Sequence, residues 1–349
     1  MNQKKKVLHI ISSLNIGGTQ VLLRDLLKTT SFSNYQHYFL VEESSGFLDN
    51  EIIKLGGEII RVKKIKKTTF IYYIYNLIRI IKIKKIDIVH SHVSYFSGIN
   101  IFISFLYNVK IRISHAHSMS KKNNKYTSLM RLLINKFSTQ KIACSHETGI
   151  SIFGSKTDFI IIKNGIFLNK RNIKQENNIS PLIIGHIARL VPEKNQKFLI
   201  DLISKKNNSE LHIIGDGPLK NELIEYSQKI GVSDRVYFHG VSRYPFKDIG
   251  KYKCNVMIYP SIREGFGISI IESQYYGFPT IISNNVPKEA IVIPSLVKTI
   301  SLENSDIDID TFLTKKKKIS QTIIDEYFIN KECDIKYTAN KIGSIYESK

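Results

Sequence analysis

Val7-Leu8-His9-Ile10-Ile11, followed by Asn15-Ile16-Gly17-Gly18-Thr19, is the stretch that sets the fold class. The first segment is a short, mostly apolar run of the kind that forms a buried strand. Paired glycines then permit a tight turn, and leucines with Val21 recur at helical spacing over residues 19–29. Strand, glycine turn and helix in this order predict the first half of a βαβ unit.

The same alternation continues along the chain. Strand-like runs are predicted at residues 37–41, 58–62, 87–91, 110–114, 141–144, 159–162, 182–187, 211–214, 236–238, 256–259 and 280–283. Helical patterns are predicted at residues 70–84, 94–107, 125–137, 196–205, 219–230 and 267–276. Alternating strands and helices predict α/β architecture with parallel sheets covered on both faces.

The chain of 349 residues is long enough for two domains. Residues 169–180 are polar and nearly free of core-forming side chains, so they are a candidate linker. We therefore expect one Rossmann-like domain over residues 1–165 and a second over residues 166–330. Ligands of open α/β sheets bind at the carboxyl ends of strands, so two such domains facing each other would form a cleft that holds the site.

Net charge is +21 and uneven. Residues 1–165 hold 25 lysines and arginines against 9 acidic residues, and residues 166–349 hold 26 against 21. Such a surface suits a nucleic acid, an anionic lipid or a phosphorylated ligand. An equal alternative is that the charge has no functional partner and reflects compositional drift towards A/T-rich codons. Three distant cysteines form no disulfide framework or metal motif, and no run of about 18 apolar residues predicts a membrane span. A reducing, cytoplasmic location is expected.

Two segments have the character of anion sites. The Gly17-Gly18 turn could bring backbone N–H groups to a phosphate, although it matches neither the dinucleotide nor the P-loop motif and could be an ordinary βα turn. Arg189 and Lys194 follow the first strand of the second half, where two cations could neutralise a diphosphate without a metal. The alternative is a pair of solvated surface charges.

The most specific motif is Arg263-Glu264-Gly265-Phe266-Gly267-Ile268-Ser269-Ile270-Ile271-Glu272. It places Glu264 before a glycine turn and Glu272 about one turn into the following helix, so that both carboxylates can face one pocket. The helix N-terminus adds N–H donors and a positive dipole end. Carboxylates accept hydrogen bonds from sugar hydroxyls, although helix capping would also explain them.

These last two segments resemble the retaining nucleotide-sugar glycosyltransferases of family 4, which have the GT-B fold. Further matches lie along almost the whole chain, and the pattern is similar to that of bacterial capsular and exopolysaccharide assembly enzymes. The matching segments are Gly17-Gly18, Asp87-Ile88-Val89-His90, Lys163-Asn164-Gly165-Ile166, Ile213-Ile214-Gly215-Asp216-Gly217-Pro218-Leu219, Val236-Tyr237-Phe238-His239-Gly240 and Ser283-Asn284-Asn285-Val286-Pro287-Lys288-Glu289.

The resemblance implies roles for particular residues. Arg189 and Lys194 would hold the donor diphosphate, Glu264 the donor sugar and Glu272 the ribose hydroxyls. Amides of Gly265, Phe266, Gly267 and Ile268 would bind sugar and phosphate, those of Gly17 and Gly18 the phosphate or acceptor, and backbone at Gly240 and Val241 the base. The resemblance also implies that a terminal helix, at about 331–349, packs back on the first domain.

Ser114-His115-Ala116-His117-Ser118 ends a predicted strand, and the family usually keeps one histidine there near the reacting centre of the sugar. Strand alternation puts His115 and His117 on one face, so spacing does not choose between them; we favour His117 because it is nearer the strand exit. A histidine that is merely hydrogen bonded in the wall is an alternative. A metal site from His90, His92, His115 and His117 is another, disfavoured because no Cys or carboxylate partner is evident.

Departures from the family are few. Gln20 stands where a glutamate is often found, and Tyr275 and Tyr276 stand where smaller residues are common, which we attribute to packing. The D-x-D pattern around Asp306 and Asp308 lies in a late polar segment. We therefore expect neither metal nor other cofactor.

The basic run Lys63-Lys64-Ile65-Lys66-Lys67 precedes an aromatic helical pattern over residues 70–79, and Lys121, Lys122, Lys125 and Arg131 form a second basic segment. These features predict peripheral attachment to an anionic membrane surface, with a helix packed on the sheet as the alternative. A nucleic-acid-binding protein and a GT-B-fold nucleotide-sugar epimerase are the rival functions. The sequence favours a retaining transferase that moves a sugar from a nucleotide diphosphate, by default UDP, to a lipid-linked glycan.

Overall fold

A computed structural model describes residues 4–42, 44–120, 124–168, 180–303, 308–315 and 319–348. The chain divides into two compact units, Met1–Phe167 with Glu332–Lys349 and Leu168–Lys331. Nearly all of the candidate linker, residues 169–179, lies outside the described residues, as do Lys121, Lys122 and Asp306.

The first unit, unit 1, contains a parallel sheet of seven described strands. They are β1 Lys6–Ile11, β2 Gln36–Val41, β3 Glu58–Arg61, β4 Ile88–Ser91, β5 Ile111–Ala116, β6 Gln140–Ala143 and β7 Ile160–Ile161. Its helices are α1 Gly18–Leu27, α2 Thr30–Ser33, α3 Asp49–Lys54, α4 Phe70–Lys84, α5 Ser97–Leu106, α6 Lys125–Phe137 and α7 His146–Phe153. Because helices cover the sheet, strands such as β2 and β4 are almost wholly buried, which explains their near-continuous apolar sequences.

The second unit, unit 2, repeats this architecture with six described strands. They are β8 Leu182–Ile187, β9 Ser209–Ile214, β10 Val236–Phe238, β11 Val256–Tyr259, β12 Thr280–Ser283 and β13 Val297–Ile300. Its helices are α8 Gln196–Ser204, α9 Lys220–Lys229, α10 Pro245–Lys251, α11 Ile268–Tyr275, α12 Ile309–Thr314 and α13 Gln321–Asn330. Two parallel α/β sheets, each with its own apolar core, confirm the predicted fold class.

Strand order fixes where each unit can bind a ligand. The sheets run β3-β2-β1-β4-β5-β6-β7 and β10-β9-β8-β11-β12-β13, so the order reverses between β1 and β4 and again between β8 and β11. Connections on the two sides of such a point leave towards opposite faces, and the carboxyl ends of the strands border a crevice. The loops after β1, β4, β8 and β11 therefore border these crevices.

The C-terminal helix α14, Ile335–Glu347, belongs to unit 1. It packs on α1 and α2, where Ser31 Oγ donates to Asn340 Oδ1 at 2.5 Å. Glu347 accepts from Lys5 Nζ and from Tyr35 Oη, both at 2.6 Å. These two donors lower the pKa of Glu347, and burial together with the carboxylate raises the pKa of Tyr35.

Some predicted boundaries differ from the structure. The helix expected from residue 94 begins as a 3₁₀ turn, Ser94–Phe96, before α5. Tyr275 is buried with its ring edge-on to Phe328, which confirms a packing role. No helix in the described part of the chain is long and apolar enough to cross a bilayer.

Candidate functional site

The loops that follow β8 and β11 lie side by side at the strand-order reversal of unit 2. Backbone N–H groups of Ile262 and Arg263 donate to Glu193 O at 2.8 and 3.4 Å. Ser283 Oγ, at the end of β12, donates to Ser261 O at 2.5 Å. These bonds tie the loop carrying Lys194 to the loop carrying Glu264.

Lys194 and Glu264 form an ion pair across the two loops. Lys194 Nζ donates to Glu264 Oε2, and Ser261 Oγ donates to the same oxygen at 3.4 Å. The side chains are 22% and 11% exposed, so water screens the pair only partly. Lys194 and Glu264, which the sequence motifs suggested separately, are thus in direct contact.

A buried histidine supports the first of these loops. His186 in β8 donates from Nδ1 to Ile258 O in β11 at 2.8 Å, which leaves Nε2 as an acceptor for Gln196 Nε2 at 3.3 Å. Gln196 Nε2 also donates to Arg189 O at 2.9 Å. Burial lowers the pKa of His186 to about 4, and nearby Lys194 acts in the same direction against the Ile258 hydrogen bond. The ring is therefore neutral at pH 7 and acts as a fixed support.

The Gly265–Gly267 turn opens helix α11, with Gly267 as its N-cap at φ +88°. A Cβ on Gly267 would lie 2.6 Å from Ile270 Cδ1, so glycine suits the position both conformationally and sterically. Phe266 is buried and anchors the turn, and Ile268 begins the helix. The first-turn N–H groups of a helix have no intrahelical acceptors and so favour an anion.

Tyr259 lies within the electrostatic influence of both glutamates. Its hydroxyl donates to Ser269 O at 3.0 Å in the first turn of α11. Burial raises its pKa well above the ordinary value, and the carboxylates of Glu272 and Glu264 add to the increase. Glu272 lies in the second turn of α11, as the sequence predicted.

Glycines also shape the neighbouring strand exits. Gly215 N donates to Gly240 O at 2.7 Å, and a Cβ on Gly215 would lie 1.8 Å from Ala188 O. Gly240 has φ +73°, and Val241 beside it is exposed. The backbone after β9 and β10 therefore passes close to the loop after β8.

Arg189 takes no part in the Lys194–Glu264 ion pair. Its side chain is exposed, and no carboxylate among the described residues lies within ion-pair distance of it. In unit 1, Gly17 is the N-cap of α1 and Gly18 its first residue. Gln20, the departure from the family pattern, donates from Nε2 to Ser13 O at 3.2 Å and so braces that turn.

Unit 1 contains six histidines on one face of its sheet. The parallel register aligns His9 with His90, and rings on neighbouring strands stack or hydrogen bond. The six residues are His9, His37, His90, His92, His115 and His117. Sequence analysis singled out the last four, whereas His9 and His37 join the cluster through strand register.

Two subsets have the proximity that a metal would require. His9, His90 and His92 place one ring nitrogen each within 4.8 Å of the others, and so do His92, His115 and His117. Burial lowers the pKa of His117 to about 3 and that of each of the other five below its ordinary value. The rings are neutral at pH 7, as metal ligation or a chain of hydrogen bonds would each require.

The chain is similar in sequence to known glycosyltransferases. Residues 169–319 match the family described as Glycosyl transferases group 1. The capsular polysaccharide biosynthesis glycosyltransferase CapH of Staphylococcus aureus is 27% identical over 363 residues, which cover 99% of either chain.

Solved structures match in fold. The apo form of the lipopolysaccharide outer core galactosyltransferase WaaB aligns with a TM-score of 0.74 at 18% identity, covering 98% of this chain and 99% of that one. Anabaena HepE in complex with UDP-glucose aligns with a TM-score of 0.70 at 17% identity, covering 97% and 94%. Both sheets therefore belong to a GT-B fold.

Proposed function

Because residues 169–319 carry a Glycosyl transferases group 1 domain and the chain is a glycosyltransferase, we propose that it transfers a sugar from a UDP-sugar to a growing surface polysaccharide. The observation that carries the proposal is the Lys194–Glu264 pair beside the N-terminus of α11. A cation and the first-turn N–H groups of a helix suit a diphosphate, and a carboxylate suits the hydroxyls of the attached sugar. The UDP-glucose complex of HepE favours uridine as the base.

The chemistry we propose is the one that the resemblance to family 4 implies, carried out by these groups. Lys194, the exposed Arg189 and the α11 N-terminus stabilise negative charge that develops on the departing diphosphate. The bond from the anomeric carbon to the phosphate oxygen breaks as the acceptor oxygen bonds to that carbon. The acceptor oxygen attacks from the face that the phosphate leaves and its proton passes to the leaving phosphate, so configuration is retained without an enzyme nucleophile. This is the retaining, family 4 mechanism, and two protein cations with a helix terminus supply the charge that a metal would otherwise supply.

The remaining assignments complete the donor and acceptor contacts. Glu272 binds the ribose hydroxyls and backbone at Gly240 and Val241 meets the base. Gly17 and Gly18 approach the phosphate or acceptor. His117 contacts the sugar whose bond breaks.

A nucleotide titration tests the donor proposal. Calorimetry with UDP, GDP, ADP and UMP, each with and without EDTA, should give tight binding of UDP that EDTA does not change. UMP should bind much more weakly, because it lacks the β-phosphate that Lys194 would meet. Binding lost on adding EDTA would reject metal independence, and equal affinity for UMP would reject the diphosphate contact. Product analysis without acceptor separates transfer from epimerisation of the donor.

We propose further that unit 1 attaches to an anionic membrane surface, where a lipid-linked acceptor would be presented. Helix α6 exposes Tyr126, Leu129 and Leu132 on one side, and Lys125 and Lys136 are exposed on the same helix. Apolar side chains would enter the headgroup region, and each nearby cation contributes about 1 kcal/mol.

Helix α4 has the same character. Ile71, Tyr72 and Tyr75 are exposed, and Lys63 Nζ lies 5.7 Å from the ring centre of Tyr72.

Co-sedimentation with anionic and neutral vesicles checks the proposal of membrane attachment. The Leu129→Ser/Leu132→Ser variant should lose binding to anionic vesicles, whereas Ile323→Ser, an exposed position of unit 2, should retain it. Equal, negligible sedimentation of the unmodified protein with both vesicles would refute attachment.

A further inference from the structure

The six clustered histidines of unit 1, all buried except the half-buried His117, form two hydrogen-bonded threads that end at the same place. One thread runs from Phe32 O through His37, His9 and His92 to His117. The other runs from Tyr346 Oη through His90 to His115. Since a neutral imidazole has one N–H and one lone pair, the group at the start of a thread sets the tautomer of every ring along it.

Phe32 O sets the first thread because a carbonyl only accepts. His37 Nε2, at 2.9 Å from it, must therefore carry the proton, which leaves His37 Nδ1 to accept from His9 Nε2 at 3.0 Å. His9 Nδ1 then accepts from His92 Nε2 at 3.2 Å. His92 Nδ1 accepts from His117 Nε2 at 2.9 Å. His117 therefore carries its proton on Nε2, and its Nδ1, at the end of the thread, has a lone pair.

Tyr346 sets the second thread. Its hydroxyl has one hydrogen-bond partner among the described residues, His90 Nδ1 at 2.7 Å, and burial raises its pKa, so the phenol keeps its proton and donates. Were it to accept instead, its own proton would be buried without an acceptor. His90 Nε2 then donates to His115 Nδ1 at 3.1 Å, and His115 Nε2 carries the terminal N–H.

The two ends lie together at the exit of β5. His115 Nε2 and His117 Nδ1 are both buried, and neither has a hydrogen-bond partner in the described part of the chain. Their ring centres are 3.9 Å apart. One end is a donor and the other an acceptor, and leaving either unsatisfied is unfavourable.

We propose that His115 and His117 form a paired site for one hydroxyl group, and that His37, His9, His92, His90 and Tyr346 are positioning residues that fix its polarity. A hydroxyl can accept from His115 Nε2–H and donate to His117 Nδ1 with the same oxygen. A phosphate or carboxylate oxygen would face the His117 lone pair, and an ammonium would face the His115 N–H. That the hydroxyl belongs to a sugar substrate rests on the proposed function.

Geometry favours this arrangement over a metal site. Zinc binds imidazole nitrogens at about 2.0–2.1 Å, which in a tetrahedral site separates them by about 3.4 Å and requires a lone pair on each. The nitrogens of His92, by contrast, lie 2.9 and 3.2 Å from those of His117 and His9, at hydrogen-bond spacing with a proton between. A metal at His92, His115 and His117 would have to break the first thread.

Histidine-selective ¹⁵N NMR of the full chain tests the tautomers directly. We expect His117 to show an unprotonated Nδ1 and a protonated Nε2, and His115 the reverse. His37→Phe keeps the ring stacked on Phe32 but removes the group that sets the polarity, so His117 should become a mixture of tautomers. His37→Gln offers an acceptor to His9 and a donor to Phe32 O and should restore the original pattern. His146→Phe, an exposed position in the same unit, is the matched control.

Transfer kinetics give the second readout. His37→Phe should lower kcat/KM about five- to tenfold, the effect of one neutral hydrogen bond, and His37→Gln should recover it. A proton on His117 Nδ1 in the unmodified protein, or an unchanged His117 pattern in His37→Phe, would overturn the proposal, as would stoichiometric Zn²⁺ binding that shifts the His92, His115 and His117 resonances. The expected tautomers in a protein that binds no UDP-sugar would uphold the threads and reject the proposed function instead.

Discussion

Replacing each partner of the Lys194–Glu264 pair should have opposite effects on nucleotide binding. We expect Lys194→Met to weaken UDP binding, whereas Glu264→Gln should leave it unchanged or tighten it. Without ligand, Glu264 Oε2 accepts the hydrogen bond from Lys194 Nζ. A diphosphate that takes up Lys194 must compete with that carboxylate, and an amide competes less because it carries no charge.

The magnitude follows from the environment of the pair. At 22% and 11% exposure both side chains are largely shielded, so a hydrogen bond between charged groups contributes about 1.5–3 kcal/mol. Loss of the Lys194 contact should therefore weaken UDP about 10- to 150-fold. Glu264→Gln should lower sugar transfer strongly even where UDP binds well, since the carboxylate would contact the donor sugar. Lys194→Met leaves Glu264 without its cation and Glu264→Gln leaves Lys194 with a neutral acceptor, and each change should lower the melting temperature by about 2–4 °C per kcal/mol lost.

Calorimetry with UDP and UMP, followed by initial-rate measurements, separates these effects. Lys197→Met is the matched control, because Lys197 is exposed on α8 and lies over the ring of Tyr226 at 4.4 Å. Melting curves establish that each variant is folded at the assay temperature. UDP affinity in Lys194→Met equal to that of the control would refute the diphosphate contact. An equal loss of UDP affinity in both variants would mean that the pair only holds the loops together.

Three further outcomes are expected. Gly267→Val should abolish UDP binding in a folded protein, measured by calorimetry and circular dichroism, because φ +88° and Ile270 exclude a branched Cβ. Gln274→Leu should lower the free energy of unfolding by about 2–5 kcal/mol in urea titrations, since its buried amide makes four hydrogen bonds to backbone groups. The pKa values of His37 and His186 are about 4 against about 6.5 unfolded, so stability present above pH 6.5 should fall as pH drops from 6.5 to 4, and calorimetric melting should show it.

The strands were predictable where burial on both faces makes them apolar. Runs 182–187 and 256–259 appear as β8 and β11 with the same bounds. No strand was predicted over β13, Val297–Ile300, because this strand is half-exposed at the sheet edge and carries Lys298 and Thr299. Helix α10 was not predicted because its seven residues include Gly250 and two lysines, so that the segment shows no clear apolar stripe.

The site was predictable in its parts but not in its contacts. Lys194 and Glu264 each stood out beside a glycine turn or strand exit, yet their pairing joins loops 70 residues apart and depends on the Glu193–Ile262 hydrogen bond. His186 gave no local signal because its role comes from a carbonyl on the neighbouring strand. Periodicity describes which face a side chain takes, whereas these contacts depend on strand order.

The two units use a buried neutral histidine to different ends. In unit 2 the carbonyl of Ile258 fixes the tautomer of His186, and the remaining lone pair is satisfied at once by Gln196, which holds Arg189 O. In unit 1 the carbonyl of Phe32 does the same for His37, but the lone pair is passed on across β1 and β4 and reaches the exit of β5 without a described partner. Burying several imidazoles where apolar side chains would pack is unfavourable unless each is satisfied. The second arrangement leaves its last atom without a partner among the described residues, and the proposed hydroxyl site at His115 and His117 would satisfy it.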